Sequence, residues 1–176
     1  MMKETTGERN ERLFIYGRIT EHFDWGEMTE SSRARWKAIH NIPDDDARTA
    51  LKSLCTKWLE PLRSALGRPV VINSGYRCPA LNAAVGGAPH SLHMQGRAVD
   101  ILGGSFEEAR RIAYQIKVLF VRGVVPAYDE LFLKSGKHSW YVHLGVSADG
   151  EPGRLRDNLQ DYAEFRRILN QNKEEQ

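Results

Sequence analysis

The clearest pattern of apolar residues in the chain has the spacing of a long amphipathic helix. Three consecutive acidic residues, 44–46, precede it and predict its start, because carboxylates stabilise the positive end of a helix dipole. Gly67 and Pro69 predict its end, and Pro61 inside it predicts a kink. The apolar positions recur at intervals of three and four residues. They are Leu51, Leu54, Cys55, Trp58, Leu59, Leu62, Ala65 and Leu66.

Shorter apolar stretches with the alternation of strands predict a sheet. They cover residues 70–73, 98–102, 128–133 and 140–146. In the second stretch Val99 and Ile101 should face the core, and Asp100 should face the other way. In the last stretch His143 should lie on the less apolar face. A carboxylate in so apolar a strand needs a partner, since an unpaired buried charge is costly.

The remaining segments complete an α+β prediction, a small antiparallel sheet flanked by helices. Ser105 followed by Glu108 has the form of a capping box and predicts the start of another helix. The apolar face predicted for that helix comprises Phe106, Ala109, Ile112, Ala113 and Ile116. Short helices are expected within 23–42 and at 80–85. Helices dominate the first part and mix with strands later, an order that favours α+β over a doubly wound sheet.

A length of 176 residues fits one domain with a real hydrophobic core. We expect this domain at 13–169, between a flexible N-terminal tail, 1–12, and a frayed C-terminus, 170–176. The domain should end in an amphipathic helix. Its apolar residues are Tyr162, Phe165, Ile168 and Leu169.

Charge and cysteine content exclude some classes of function. A formal net charge of +2 is too small to indicate a nucleic-acid partner. Cys55 and Cys78 lack metal-ligand spacing and are expected to be reduced thiols. The polar first twelve residues are unlike a secretory signal, and no stretch is apolar enough to span a membrane. We therefore expect cytoplasmic synthesis, with any action at a cell wall following release.

Three residues form a candidate metal site: His93, Asp100 and His143. Imidazole and carboxylate are both zinc ligands, and a catalytic zinc site needs three protein ligands with one position open. Gly96, between the first two, lets the chain turn without a side-chain clash. Spacing alone leaves open the alternative that the histidines are ordinary core or surface residues.

Four motifs around these residues carry a resemblance to a known family. They are Ser-Gly-Tyr-Arg-Cys-Pro at 74–79, Asn-Ala-Ala-Val-Gly-Gly-Ala at 82–88, Ser-x-His-x-x-Gly-x-Ala-x-Asp at 91–100 and Tyr-Val-His at 141–143. Together they closely resemble the zinc D-alanyl-D-alanine carboxypeptidase family, from about Phe23 to Val146. That family includes the D,D-dipeptidases of vancomycin resistance, phage endolysin peptidases and, in fold, the Hedgehog signalling domain.

The resemblance implies a Hedgehog/D,D-peptidase-like fold that binds one zinc ion per chain through His93, Asp100 and His143. Arg77 would contact the substrate or the oxyanion, and Ser91 and Tyr141 would line the substrate site. The implied function is hydrolysis of D-amino-acid-containing bonds in peptidoglycan stem peptides or cross-links. The expected protein is a monomer, of a kind that phages or prophages encode.

One position departs from the family pattern and leaves a second function open. Lys134 stands where the resemblance leads us to expect a glutamate general base, and a protonated lysine cannot accept a proton. Glu130, about 13 Å away along a strand, and His138, in the following turn, are the substitute candidates. The alternative is a catalytically inactive zinc-binding module that recognises cell wall or a protein partner.

Overall fold

The computed structural model describes residues 17–148 and 153–159. The helices are α1 (Trp25–Thr29), α2 (Ser32–Trp36), α3 (Asp45–Leu54), α4 (Glu60–Leu66), α5 (Pro79–Ala84) and α6 (Phe106–Val121), with a π-helical segment at Cys55–Leu59 and a 3-10 helix at Leu92–Gln95. The strands are β1 (Ile72–Ser74), β2 (Ala98–Gly104), β3 (Tyr128–Ser135), β4 (Trp140–Val146) and β5 (Arg156–Asp157). The predicted N-terminal tail, C-terminal helix and frayed end lie outside the described residues.

Five strands form one sheet in the order β1-β2-β4-β3-β5. The first four are antiparallel neighbours, whereas β5 runs parallel to β3. The α+β class is confirmed, and the purely antiparallel sheet is corrected to a mixed one. The sequence pattern could not reveal β5, because two residues are too few to show alternation.

The predicted long helix exists but is interrupted. Asp44 caps α3 by accepting a hydrogen bond from the backbone N–H of Ala47 at 2.8 Å. The π-helical segment then separates α3 from α4, and Pro61 lies in the first turn of α4, where a missing N–H is tolerated. The π-helical segment ends at Leu59, two residues before Pro61. Gly67 ends α4 with a left-handed φ of 63°.

The helix α6 packs on β2, β3 and β4, α4 packs on α6, and α3 packs on the 3-10 helix that carries His93. Val99 and Ile101 of β2 are fully buried in this core, as predicted. Phe106 is a correction: it is 39% exposed and packs edge-to-face on Trp140, with ring centroids 4.8 Å apart. It begins α6 at the sheet edge, where the core ends.

The first predicted strand begins two residues later than the pattern at 70–73 indicates and ends one residue later. It is β1, Ile72–Ser74, and Val71 is 51% exposed. The physical reason is that β1 is an edge strand, hydrogen-bonded only to β2. The capping box is half formed. Ser105 accepts from the N–H of Glu108, while the Glu108 carboxylate pairs with Arg68.

The short strand β5 is anchored by side chains as well as by its ladder. One Asp157 oxygen lies 2.8 Å from the Tyr128 hydroxyl and 2.9 Å from Lys117 Nζ. The Asn158 side chain bonds both the N–H and the carbonyl of Leu133, at 2.8 and 3.0 Å. Burial disfavours the Asp157 anion, but Lys117 and Tyr128 outweigh that effect and lower its pKa. The end of the described chain is thereby fixed against β3.

Within the described residues, no helix combines the length and the apolar character that a membrane span requires.

Gly96→Ala is expected to destabilise the fold strongly. Gly96 has φ +67°, and a Cβ there would lie 2.3 Å from the carbonyl oxygen of Ala47. Gly123→Ala is the matched control, since Gly123 has φ +70° and a Cβ added there would meet no atom within 4 Å. Left-handed strain costs each variant about 1 kcal/mol, and the backbone clash should add about 1–3 kcal/mol for Gly96→Ala alone. Urea unfolding measures the stability of both variants. Equal losses of unfolding free energy in the two variants would contradict a clash at Gly96.

Asp157→Asn should lower the free energy of unfolding at pH 7 by about 1–3 kcal/mol. The lowered pKa means that the stabilisation is present above the unfolded value of about 3.9 and is lost as pH falls through the folded value. The difference in the free energy of unfolding between variant and wild type should therefore become smaller below about pH 4. Glu30→Gln, which breaks the exposed pair with Arg35, is the control, with a loss under about 1 kcal/mol. If this difference in the free energy of unfolding did not change with pH, the ionised carboxylate of Asp157 could not be its cause.

Candidate metal centre

His93 is oriented by the backbone. It lies in the 3-10 helix, is fully buried, and its Nδ1 lies 2.6 Å from the carbonyl oxygen of Gly75. A carbonyl only accepts, so Nδ1 carries the hydrogen and Nε2 keeps its lone pair. Burial lowers the pKa of His93, and the neighbouring Asp100 opposes that shift only in part. The ring is thus held neutral with Nε2 facing the sheet.

Asp100 and His143 are brought together by the pairing of β2 with β4, in which they are direct cross-strand partners. His143 Nδ1 lies 2.8 Å from one Asp100 oxygen, and His93 Nε2 lies 3.5 Å from the other. The facing nitrogens of His93 and His143 are 3.3 Å apart. Burial raises the pKa of Asp100, but its contacts with the rings of both histidines prevail and hold it well below its usual range. The carboxylate is therefore ionised.

This donor set fits a zinc ion. Two imidazole nitrogens and one carboxylate oxygen converge within 4.8 Å of one another, and all three residues are buried. Zinc is bound by three such ligands in catalytic sites, and a fourth position stays open. The structure therefore brings together the three residues that the sequence predicted as ligands.

Arg77 and Tyr141 lie beside the group. The Arg77 N–H donates to the carbonyl of His93 at 3.2 Å. Burial lowers the pKa of Arg77, while Asp100 and Tyr141 oppose the shift, which places its charge near both. Burial, with Asp100 adding to it, raises the pKa of Tyr141. Among the described residues, the buried Nε of Arg77 has no hydrogen-bond partner.

Glu130 contacts one of the predicted metal ligands. Its Oε2 lies 2.9 Å from His143 Nε2, and its Oε1 pairs with Arg156. The sequence indicated that Glu130 lies some distance along the strand from position 134. It did not predict the contact of Glu130 with His143 or its ion pair with Arg156. The missing information was the register, in which Phe132 lies opposite His143 and Glu130 opposite Gly145. Phe132 also stacks on the His143 ring, at 9° between planes.

Lys134 lies opposite Tyr141 in the ladder and is exposed. An open groove of about 720 Å³ is lined by these two residues together with Phe106, Arg110 and Trp140. His93, Asp100, His143 and Arg77 are not among the residues that line it.

The structure does not bring two other predicted residues into the group. His138 is exposed in the turn between β3 and β4, ahead of Tyr141 and His143 in the chain. Ser91 is half-buried directly before the 3-10 helix, where its carbonyl accepts from the N–H of Met94 at 3.0 Å. Asp129 faces away, as expected, and bonds the Ser147 hydroxyl at 2.9 Å.

Fold and site together define an α+β domain with a buried His-Asp-His metal centre. The family model for peptidase M15 matches residues 21–143, so the chain belongs to the peptidase M15 family. It is also 41% identical over 61 residues to the zinc D-Ala-D-Ala carboxypeptidase of Streptomyces albus G. That match covers 34% of this chain and 24% of the relative's length. The family resemblance found in the motifs is confirmed.

Asp100→Asn should abolish stoichiometric zinc binding. The wild type is expected to hold one zinc per chain, and loss of the carboxylate ligand should weaken binding by roughly 100-fold or more, since even groups that only support ligands contribute about 10–100-fold. Asp129→Asn is the matched control, because Asp129 is equally buried, at 8% exposure, but lies outside the group. Elemental analysis and chelator competition measure both. Equal zinc content in the two variants would place the metal elsewhere.

Proposed function

We propose that this protein is a zinc-dependent peptidase that hydrolyses D-amino-acid-containing peptide bonds of bacterial peptidoglycan. The observation that carries the proposal is the buried group of His93, Asp100 and His143 with Arg77 beside it. The substrate class is supported by the partial match to a zinc D-Ala-D-Ala carboxypeptidase. A phage or prophage origin remains part of the proposal, as does action at the cell wall.

In this proposal His93, Asp100 and His143 hold the zinc ion. The protonation states of these side chains favour a cation. His93 is neutral and the lone pair of its Nε2 can bind a metal, while Asp100 is an anion that lies between two imidazoles. A bound zinc would lower the pKa of a water ligand and polarise a peptide carbonyl. Burial of all three side chains excludes bulk water and so strengthens electrostatic interactions within the site.

Arg77 is the proposed substrate-binding cation. Its charge lies near Asp100 and Tyr141, and its Nε is a buried donor without a partner in the described part of the chain. Such a donor can stabilise a developing oxyanion or bind a peptide carboxylate. Tyr141 and Ser91 are proposed to contact the same peptide.

The two candidates for the general base are placed differently. A base must come within hydrogen-bond reach of the proton it takes. His138 is exposed in a turn, and both oxygens of Glu130 are engaged, one by His143 and one by Arg156. The proposed activity therefore rests on the metal centre and Arg77. The same observation, together with Lys134 on this face, favours a non-catalytic zinc-binding module as the second candidate.

The test is mass spectrometry of stem pentapeptides and cross-linked muropeptides incubated with the zinc-loaded protein. We expect release of D-alanine or of cross-link fragments by the wild type, and no products from His143→Ala. Arg77→Met should lower kcat/KM by roughly 10²–10³-fold. Arg97→Met is its control, since the Arg97 guanidinium contacts Gln95 instead.

The outcome also separates the two candidate functions. Products would identify the bond that is cleaved and exclude the binding module. No products from a wild-type sample with one zinc per chain would contradict the peptidase and favour the module.

A further inference from the structure

We infer that Glu130 is a positioning residue: held by Arg156, its carboxylate fixes the His143 ring so that Nδ1 faces the metal centre. The inference rests on the proposed metal centre and assigns to Glu130 a role other than that of general base. Carboxylates that hold the second nitrogen of a metal-binding histidine set its tautomer and orientation.

The contact between Glu130 and His143 fixes which nitrogen carries the hydrogen. Oε2 of Glu130 lies 2.9 Å from Nε2, while Nδ1 lies 2.8 Å from Asp100 and 3.3 Å from His93 Nε2. A metal ligand needs its lone pair, so Nδ1, which faces the metal centre, would carry no hydrogen with a cation bound, and Nε2–H would then donate to the Glu130 carboxylate. His93 is oriented by the same principle, with the Gly75 carbonyl as its acceptor.

The sheet leaves space for this carboxylate. Glu130 lies opposite Gly145, and a Cβ at Gly145 would lie 3.2 Å from Glu130 Cβ and 2.8 Å from Leu92 Cδ1. Any larger residue at this position would press on the Glu130 side chain. Phe132 stacks parallel to the His143 ring and restricts its rotation. The ring is therefore held by an acceptor at one edge and by an aromatic face.

Arg156 holds the other oxygen of Glu130 because β5 is paired in register with β3. Arg156 lies opposite Glu130, and Asp157 lies opposite Leu131. The strand is anchored on both sides of Arg156: the Leu155 N–H donates to the Tyr128 carbonyl at 3.0 Å, and Asp157 binds Tyr128 and Lys117. Arg156 is half-exposed, yet its backbone position is determined by these contacts.

The test is zinc affinity, measured by competition with a chromophoric chelator, for the wild type, Glu130→Gln, Arg156→Met and the double variant. Glu130→Gln should weaken binding about 10–100-fold, and Arg156→Met should weaken it less. The double variant should be no weaker than Glu130→Gln alone, because Arg156 acts through Glu130. Arg154→Met, which removes the same charge two residues away, should bind zinc as the wild type does.

Cobalt substitution supplies a second readout. The visible absorption of the Co²⁺ form should change in Glu130→Gln, since a neutral amide oxygen holds the histidine ligand less strongly than a carboxylate, and should stay unchanged in Arg154→Met. Circular dichroism and urea unfolding of the metal-free variants verify that they fold.

Two results would overturn the inference. Wild-type zinc affinity and cobalt spectrum in Glu130→Gln, with kcat abolished, would identify Glu130 as the general base. Additive losses in the double variant would mean that Arg156 acts independently of Glu130. Because the readout is binding, it is separate from the activity test: a wild type that binds zinc without hydrolysing peptides contradicts the peptidase and leaves the positioning role measurable.

Discussion

The register between β2 and β4 is the constraint on which the site depends. It places the Asp100 carboxylate directly opposite His143, beneath a buried His93, in a part of the sheet whose opposite face is apolar core. A slip of one residue would turn both side chains into that core. The register is specified because Val99 and Ile101 of β2 and Val142 and Leu144 of β4 must all be buried together. Core packing thus sets the geometry of the metal centre.

The two faces of the sheet carry separate tasks. The helical face supplies the burial that holds the register, while the other face concentrates a carboxylate, two imidazoles and a guanidinium. Two imidazole nitrogens lie 2.8 and 3.5 Å from the oxygens of the buried Asp100, and a cation bound among these groups would offset the cost of burying the carboxylate. The same three groups are poised to exchange those contacts for a cation. Stability and metal binding are consequently properties of one arrangement.

Much of this arrangement can be predicted from the sequence, and its failures have physical causes. The alternation in residues 98–102 and 140–146 predicted the two strands that carry Asp100 and His143 and the face of each of these residues, and the motifs predicted the family. Phe106 and the position of β1 were wrong because periodicity does not show where a core ends. The contact between Glu130 and His143 could not be predicted from the sequence, because it depends on the register in which β3 pairs with β4. Arg156 was missed because β5 has only two residues.

The parallel strand at the sheet edge has a consequence for the evolution of related chains. No long crossover is needed for this parallel pair, because β4 returns the chain and β5 then runs antiparallel to β4 on the far side of β3. A change in the length of the segment that joins β4, ending at Val146, to β5, beginning at Arg156, would move Arg156 relative to Glu130 while every ligand stayed in place. Paralogues with identical ligand motifs could therefore diverge in how tightly they retain zinc, and drift in a peripheral loop would tune metal retention under selection.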